Sequence, residues 1–186
     1  LRNMMFTASE KHVGPFSIRY PRGTGSIVNW RNAFEEVPVG KGRKLRKGET
    51  VAVLSVGAIG TEAVKALDSL YKKGVLIAHY DMRYIKPLDD VMLHEIFSQF
   101  KGVITLEDGV IQGGFGSAVI EWMMENGYNT TVTRMGIEDK WIEHGTQAEL
   151  YAECGYDAES IELKIEEELD RINTISRSTI NKAQSA

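Results

Sequence analysis

Two arginines three positions apart, in Ser17-Ile-Arg-Tyr-Pro-Arg-Gly23, are the residues best suited to hold an anion. The stretch Phe16 to Tyr20 alternates apolar and polar residues as a strand does, and Pro21-Arg-Gly-Thr-Gly25 stops it. Pro21 fixes the turn, Gly23 leaves room for a ligand beside the backbone, and a guanidinium fork suits two phosphate oxygens at once. Arg22 is therefore the candidate for binding a substrate phosphate, with Arg19 second. The alternative is a surface arginine at a strand end.

A second stretch, Val103 to Met124, carries Glu107 and Gly113-Gly-Phe-Gly116 between an apolar run and apolar residues at helical spacing. It reads as strand, loop, helix. The loop suits either an anion at the helix start or tight packing. It lacks the GxGxxG spacing of a dinucleotide fingerprint, and its glycines lie several residues beyond the strand, so close packing is the favoured reading. Phe115, Trp122 and this turn are expected at or near a subunit contact, with packing inside the chain as the alternative. Asp81, Arg83 and Lys86, just past another strand, are expected to supply an internal ion pair, and Glu107 a structural role rather than chemistry.

Other chemistry is missing from the sequence. His12, His79, His94 and His144 are scattered, and no HExxH, CxxC, GxSxG, Walker or kinase pattern occurs. Cys154, the one cysteine, has no His nearby in sequence and reads as a structural thiol. One cysteine excludes an internal disulfide and agrees with a reducing cytoplasm. A net charge of -4 with acids and bases well mixed gives no broad basic surface, so nucleic acid and anionic membrane are poor partners. No run approaches the ~20 apolar residues that span a bilayer. A chain of 186 residues, 42% of them hydrophobic, can bury a real core yet shows no self-contained catalytic constellation.

The elements that position these residues alternate from Val51 onward. Val51–Val56 reads as a buried strand, Thr61–Tyr71 as an amphipathic helix closed by Gly74, Val75–Tyr80 as a strand and Leu88–Phe100 as a helix. After the stretch around Glu107 comes a fourth strand, Thr130–Met135. Thr146-Gln-Ala-Glu149 has capping-box spacing for a short helix, and Asp157 caps a last helix with Ile161, Ile165, Leu169 and Ile172 on its inner face. Residues beyond Asn173 are expected to fray. This order implies an α/β fold: a doubly wound, mainly parallel sheet with helices on both faces and functional loops at the carboxyl ends of the strands. Upstream, the chain starts on an uncapped helical stretch and an orphan strand, and residues from Ser26 to Glu49, with the basic run Arg43, Lys44, Arg46 and Lys47, read as a linker leading into an exposed hairpin.

Four motifs in order, Ser17 to Gly23, Asp81-Met-Arg-Tyr-Ile-Lys-Pro-Leu-Asp89, Leu106 to Ser117 and Gly145-Thr-Gln147, closely resemble the C-terminal part of the 1-deoxy-D-xylulose-5-phosphate synthase family. The glutamate and glycine loop alone is shared across the wider transketolase superfamily. The resemblance implies an enzyme that condenses pyruvate with glyceraldehyde 3-phosphate on thiamine diphosphate and Mg²⁺, as a cytoplasmic homodimer. It also carries the phosphate-binding arginine onto Arg22. It divides the chain into the tail of an incomplete pyrimidine-binding domain (1–28), a linker (29–47), a transketolase-type C-terminal domain (48–175) and a frayed tail (176–186). The family's Gly-Asp-Gly metal motif, activating glutamate and catalytic histidines have no counterpart here, so no catalytic, cofactor or metal residue is expected in this chain, which alone should be inactive. The alternatives are the matching part of a transketolase or oxo-acid dehydrogenase β subunit, and a stand-alone small-molecule or nucleotide binding module.

Overall fold

In the central strands both faces are apolar, which is the pattern of a sheet covered on both sides. The computed structural model describes residues 1–10, 14–21 and 31–184, with side chains as far as Ile175. Helix α1 is Arg2–Ser9 and strand β1 Arg43–Arg46; then follow β2 (Val51–Val56), α2 (Gly60–Lys72), β3 (Ala78–Asp81), α3 (Asp90–Gln99), β4 (Gly102–Val110), α4 (Phe115–Glu125), β5 (Thr131–Ile137), α5 (Gln147–Glu153) and α6 (Ala158–Gln184). The sheet order is β1-β3-β2-β4-β5. β3, β2, β4 and β5 run parallel and β1 pairs antiparallel with β3.

Alternate residues of β2 face opposite cores. Val51 and Val53 pack with Ala63, Leu67 and Leu70 of α2 and with Ile161, Ile165 and Ile172 of α6. Ala52 and Leu54 pack with Leu93 and Ile96 of α3 and with Phe115, Val119 and Met123 of α4. The doubly wound, mainly parallel arrangement expected from the sequence is the one observed.

Three expectations differ in detail. Residues 14–21 hold no strand, because the backbone from Phe16 to Tyr20 pairs with no neighbour in the sheet. The residues expected as linker supply β1 at Arg43–Arg46, whose basic side chains are paired: Arg43 with Asp81, Lys44 with Glu95, Arg46 with Asp68. α6 continues past Asn173 to Gln184, since no Gly or Pro interrupts it. Phe115 is fully buried within this chain, and the half-buried Trp122 lies among Phe97, His94 and Tyr128, donating from Nε1 to Asp90 at 2.8 Å.

Candidate functional site

The carboxyl ends of the parallel strands are where an α/β sheet builds its sites, and Glu107 anchors that end here. β4 continues through Glu107, whose side chain is only 5% exposed. Its Oε2 accepts from Phe115 N and its Oε1 from Gly116 N, both at 2.8 Å. The two oxygens thereby satisfy the free amides at the start of α4, and a carboxylate there also opposes the positive end of the helix dipole. No side chain fits at Gly114 or Gly116: an added Cβ would lie 2.2 Å from Glu107 Oε2 or 2.4 Å from Thr105 Oγ1. The glycine turn is close packing around an internal cap, not an open anion cradle. The structural role expected of Glu107 is observed.

The loop between Glu107 and α4 is clamped from the far side. Arg134 of β5 donates from Nη1 to the Ile111 carbonyl and to Ser117 Oγ, each at 2.8 Å, and Ser117 Oγ in turn donates to Ile111 O at 2.9 Å. Gly113 N donates to Ser117 Oγ at 3.0 Å. Sequence reasoning missed Arg134; a charged residue inside a β-branched strand was the available signal. Tyr156 adds a bond to Asp108 Oδ1 at 3.1 Å, and burial pushes its phenol well above the ordinary tyrosine range.

After β3 the loop is fixed by a different set. Asp81 Oδ2 pairs with Arg43 at 2.8 Å, while its Oδ1 accepts from Arg83 N at 3.2 Å. Arg83, at φ 56°, sends its guanidinium to two carbonyls, Lys41 at 2.8 Å and Gly42 at 2.9 Å. The expected ion pair exists, but Asp81 finds its cation on β1 and Arg83 binds backbone. Asp89 ties the same segment to α3, accepting from Met92 N at 3.2 Å, Gly42 N at 3.0 Å and Lys41 Nζ at 3.1 Å. Burial alone would raise the Asp89 pKa; the Lys41, Gly42 and Met92 donors outweigh it and hold the carboxyl below its usual range.

The segment carrying Arg19, the second phosphate candidate, contacts both of these loops. The Phe16 ring meets Tyr84 edge-on with centroids 6.1 Å apart, and Tyr84 OH donates to Val37 O at 2.9 Å. Arg19 reaches Gly109, where an added Cβ would stand 3.2 Å from its Nη1. The segment thus touches the loop after β3 and the end of β4, the two strands that flank β2. Arg22 and His12 lie outside the described residues.

The remaining sequence candidates stay apart. His79 is buried against Ser55, Oγ to Nε2 2.8 Å, and burial lowers its pKa to about 4. His94 joins the aromatic group on α3 and α4, and His144 is exposed. Thr146 and Glu149 form the expected capping box of α5, so Gly145-Thr-Gln147 starts a helix. Among the described residues no group of three or more His, Cys, Asp or Glu is placed to hold a metal ion, and none of the described helices is long and apolar enough to cross a membrane. Glu107, as deeply buried as Asp89, has both oxygens engaged.

Comparison with known proteins matches residues 40–161 to the transketolase C-terminal domain. The chain belongs to the transketolase C-terminal domain family. Within that family it is 53% identical over 168 residues to the 1-deoxy-D-xylulose-5-phosphate synthase of Parabacteroides distasonis, covering 90% of this chain and 27% of that protein. The synthase of Cytophaga hutchinsonii is also 53% identical, over 87% of this chain and 26% of its own length. The chain thus spans about a quarter of the relatives it matches. A solved structure, "Split gene transketolase, inactive beta4 tetramer", superposes with a TM-score of 0.66 at 28% identity, over 72% of this chain and 43% of that one.

Proposed function

We propose that this chain is the C-terminal part of a 1-deoxy-D-xylulose-5-phosphate synthase, an enzyme that joins pyruvate and glyceraldehyde 3-phosphate with loss of CO₂ on thiamine diphosphate and Mg²⁺. The observation that carries this reading is 53% identity to a synthase across 90% of the chain, which reaches beyond the family domain at 40–161. The donors described here do not fit the cofactor or its metal, because Glu107 caps α4, Asp81 pairs with Arg43 and Asp89 caps α3. Thiamine diphosphate and Mg²⁺ belong to the remainder of the polypeptide, and the role of this chain is to frame the substrate side and to support a homodimer. The tetrameric assembly named for the related split-gene transketolase agrees with an oligomer. Soluble cytoplasmic operation completes the reading.

Arg22 is the residue of this chain assigned to substrate: its guanidinium binds the phosphate of glyceraldehyde 3-phosphate. The docking of Phe16 on Tyr84 and of Arg19 at Gly109 supports this, since it brings the neighbouring residues to the functional end of the sheet. Losing a bidentate charge-assisted contact costs about 1.5–3 kcal/mol, or roughly ten- to a hundredfold in affinity. Arg22→Ala in the full-length enzyme should therefore raise KM for glyceraldehyde 3-phosphate far more than KM for pyruvate, which carries no phosphate. Equal effects on both substrates, or none, would remove Arg22 from the site. The same assay separates the synthase from a transketolase or dehydrogenase subunit, neither of which forms deoxyxylulose phosphate.

A further inference from the structure

Helix α1 stands apart from the sheet. Among the described residues none of α1 belongs to either apolar layer, and a helix of eight residues is too short to hold its own shape in water. What orders it is the irregular stretch 31–42 laid against it. Phe34 stacks on Phe6 with centroids 5.3 Å apart, and the Arg2 guanidinium lies over the Phe34 ring at 4.0 Å while also donating to the Asn32 carbonyl. The fully buried residue of α1 is polar. Thr7, 0% exposed, donates from Oγ1 to Asn3 O at 2.9 Å and accepts at the same oxygen from Val37 N at 2.8 Å. With its proton committed inside α1, the hydroxyl presents a lone pair to the strap.

The far end of this strap is laced to the loop after β3. Arg83 holds the Lys41 and Gly42 carbonyls, Asp89 accepts from Gly42 N, and a Cβ on Gly40 would stand 2.8 Å from Pro87 Cγ. The two sets of contacts meet at one residue: Val37 gives its N–H to Thr7 and takes at its carbonyl the Tyr84 hydroxyl, at 2.9 Å. Residues 31–36 are exposed, the setting of a linker across which two bodies turn independently. The bonds at Val37 oppose that motion.

We infer that Val37 is the coupling point of an interdomain strap, whose two backbone bonds, to Thr7 and to Tyr84, make α1 and the loop after β3 move as one body. On the reading of this chain as the C-terminal part of a longer enzyme, α1 belongs to the body that precedes the sheet domain, and the strap carries its position to the carboxyl end of the sheet. No substrate contact enters the inference.

The test uses the full-length protein and reads hydrogen exchange in α1 and at residues 82–84, with β2 as internal reference. Thr7→Val keeps the shape of the side chain and removes the acceptor; Tyr84→Phe keeps the ring against Phe16 and removes the donor. Each change should act across the junction: Thr7→Val speeds exchange at 82–84 and Tyr84→Phe speeds it in α1, by about five- to tenfold, with β2 unchanged. Thr7→Ser, which retains the hydroxyl, should restore the slow rates. Because both bonds end on one residue, the double variant should exchange far more slowly than the product of the single effects requires. Effects confined to the element that carries the substitution, an equal acceleration of β2, or single effects that multiply in the double variant overturn the inference. Deoxyxylulose phosphate formation by the wild-type protein tests the proposed function separately, and its absence would leave the exchange result standing.

Discussion

At the scale of single residues, the buried His79 makes stability depend on pH. It is 1% exposed and contacts Ser55, and burial lowers its pKa from 6.5 to about 4, with nearby Arg46 and Arg43 adding to the effect and Asp81 opposing it. The unfolded chain binds a proton near pH 6.5 that the folded chain refuses until about pH 4. Stability is complete above the unfolded value and falls as pH drops between the two, by up to something on the order of 3 kcal/mol. Asp89 acts lower: its depressed carboxyl contributes stability above the ordinary carboxylate range and loses it on further acidification. Denaturant midpoints of the chain should decline from pH 6.5 toward 4, and His79→Gln should flatten that window while leaving the steeper fall below it. Parallel pH profiles for the two proteins would show that His79 does not titrate as its burial implies. In the sequence His79 was one of four scattered histidines; only the pairing of β2 with β3 brings it against Ser55.

At the scale of elements, what was legible depended on whether a local pattern and a tertiary contact agreed. β2 was readable because six consecutive residues, Val51–Val56, are apolar or small and lie in the middle of the sheet. The α5 start was readable because a capping box is local chemistry. β1 was not, since its four residues are basic or exposed and its strand character comes from pairing with β3. The alternation from Phe16 to Tyr20 misled for the converse reason: an apolar residue finds Tyr84 there instead of a neighbouring strand. The junction of β4 with α4 gives a direct test of how elements are joined. Glu107→Gln leaves one acceptor where two amides point and removes the charge opposing the helix dipole, so it should cost about 1.5–3 kcal/mol in urea unfolding of this chain. If Glu107→Gln unfolds at the wild-type midpoint, the cap is not a stabilising contact.

At the scale of the whole molecule, this chain has the interior of a folded unit. Two apolar layers, one from α2, α5 and α6 and the other from α3 and α4, sandwich a single sheet. At the end of that sheet, the carboxylates that could have served a cofactor are spent on α4, β1 and α3. A ligand that binds only the native state stabilises it by RT ln(1 + [L]/Kd), about 2.7 kcal/mol when its concentration is a hundred times Kd, and so raises the melting temperature. The 186-residue chain alone should therefore unfold cooperatively at a temperature that thiamine diphosphate and Mg²⁺ leave unchanged, and it should form no deoxyxylulose phosphate from pyruvate and glyceraldehyde 3-phosphate. The full-length enzyme, challenged in the same way, should both melt later and turn over. A cofactor-dependent rise in the melting temperature of the isolated chain would mean that its carboxylates are available after all, and would return the chemistry to this part of the polypeptide.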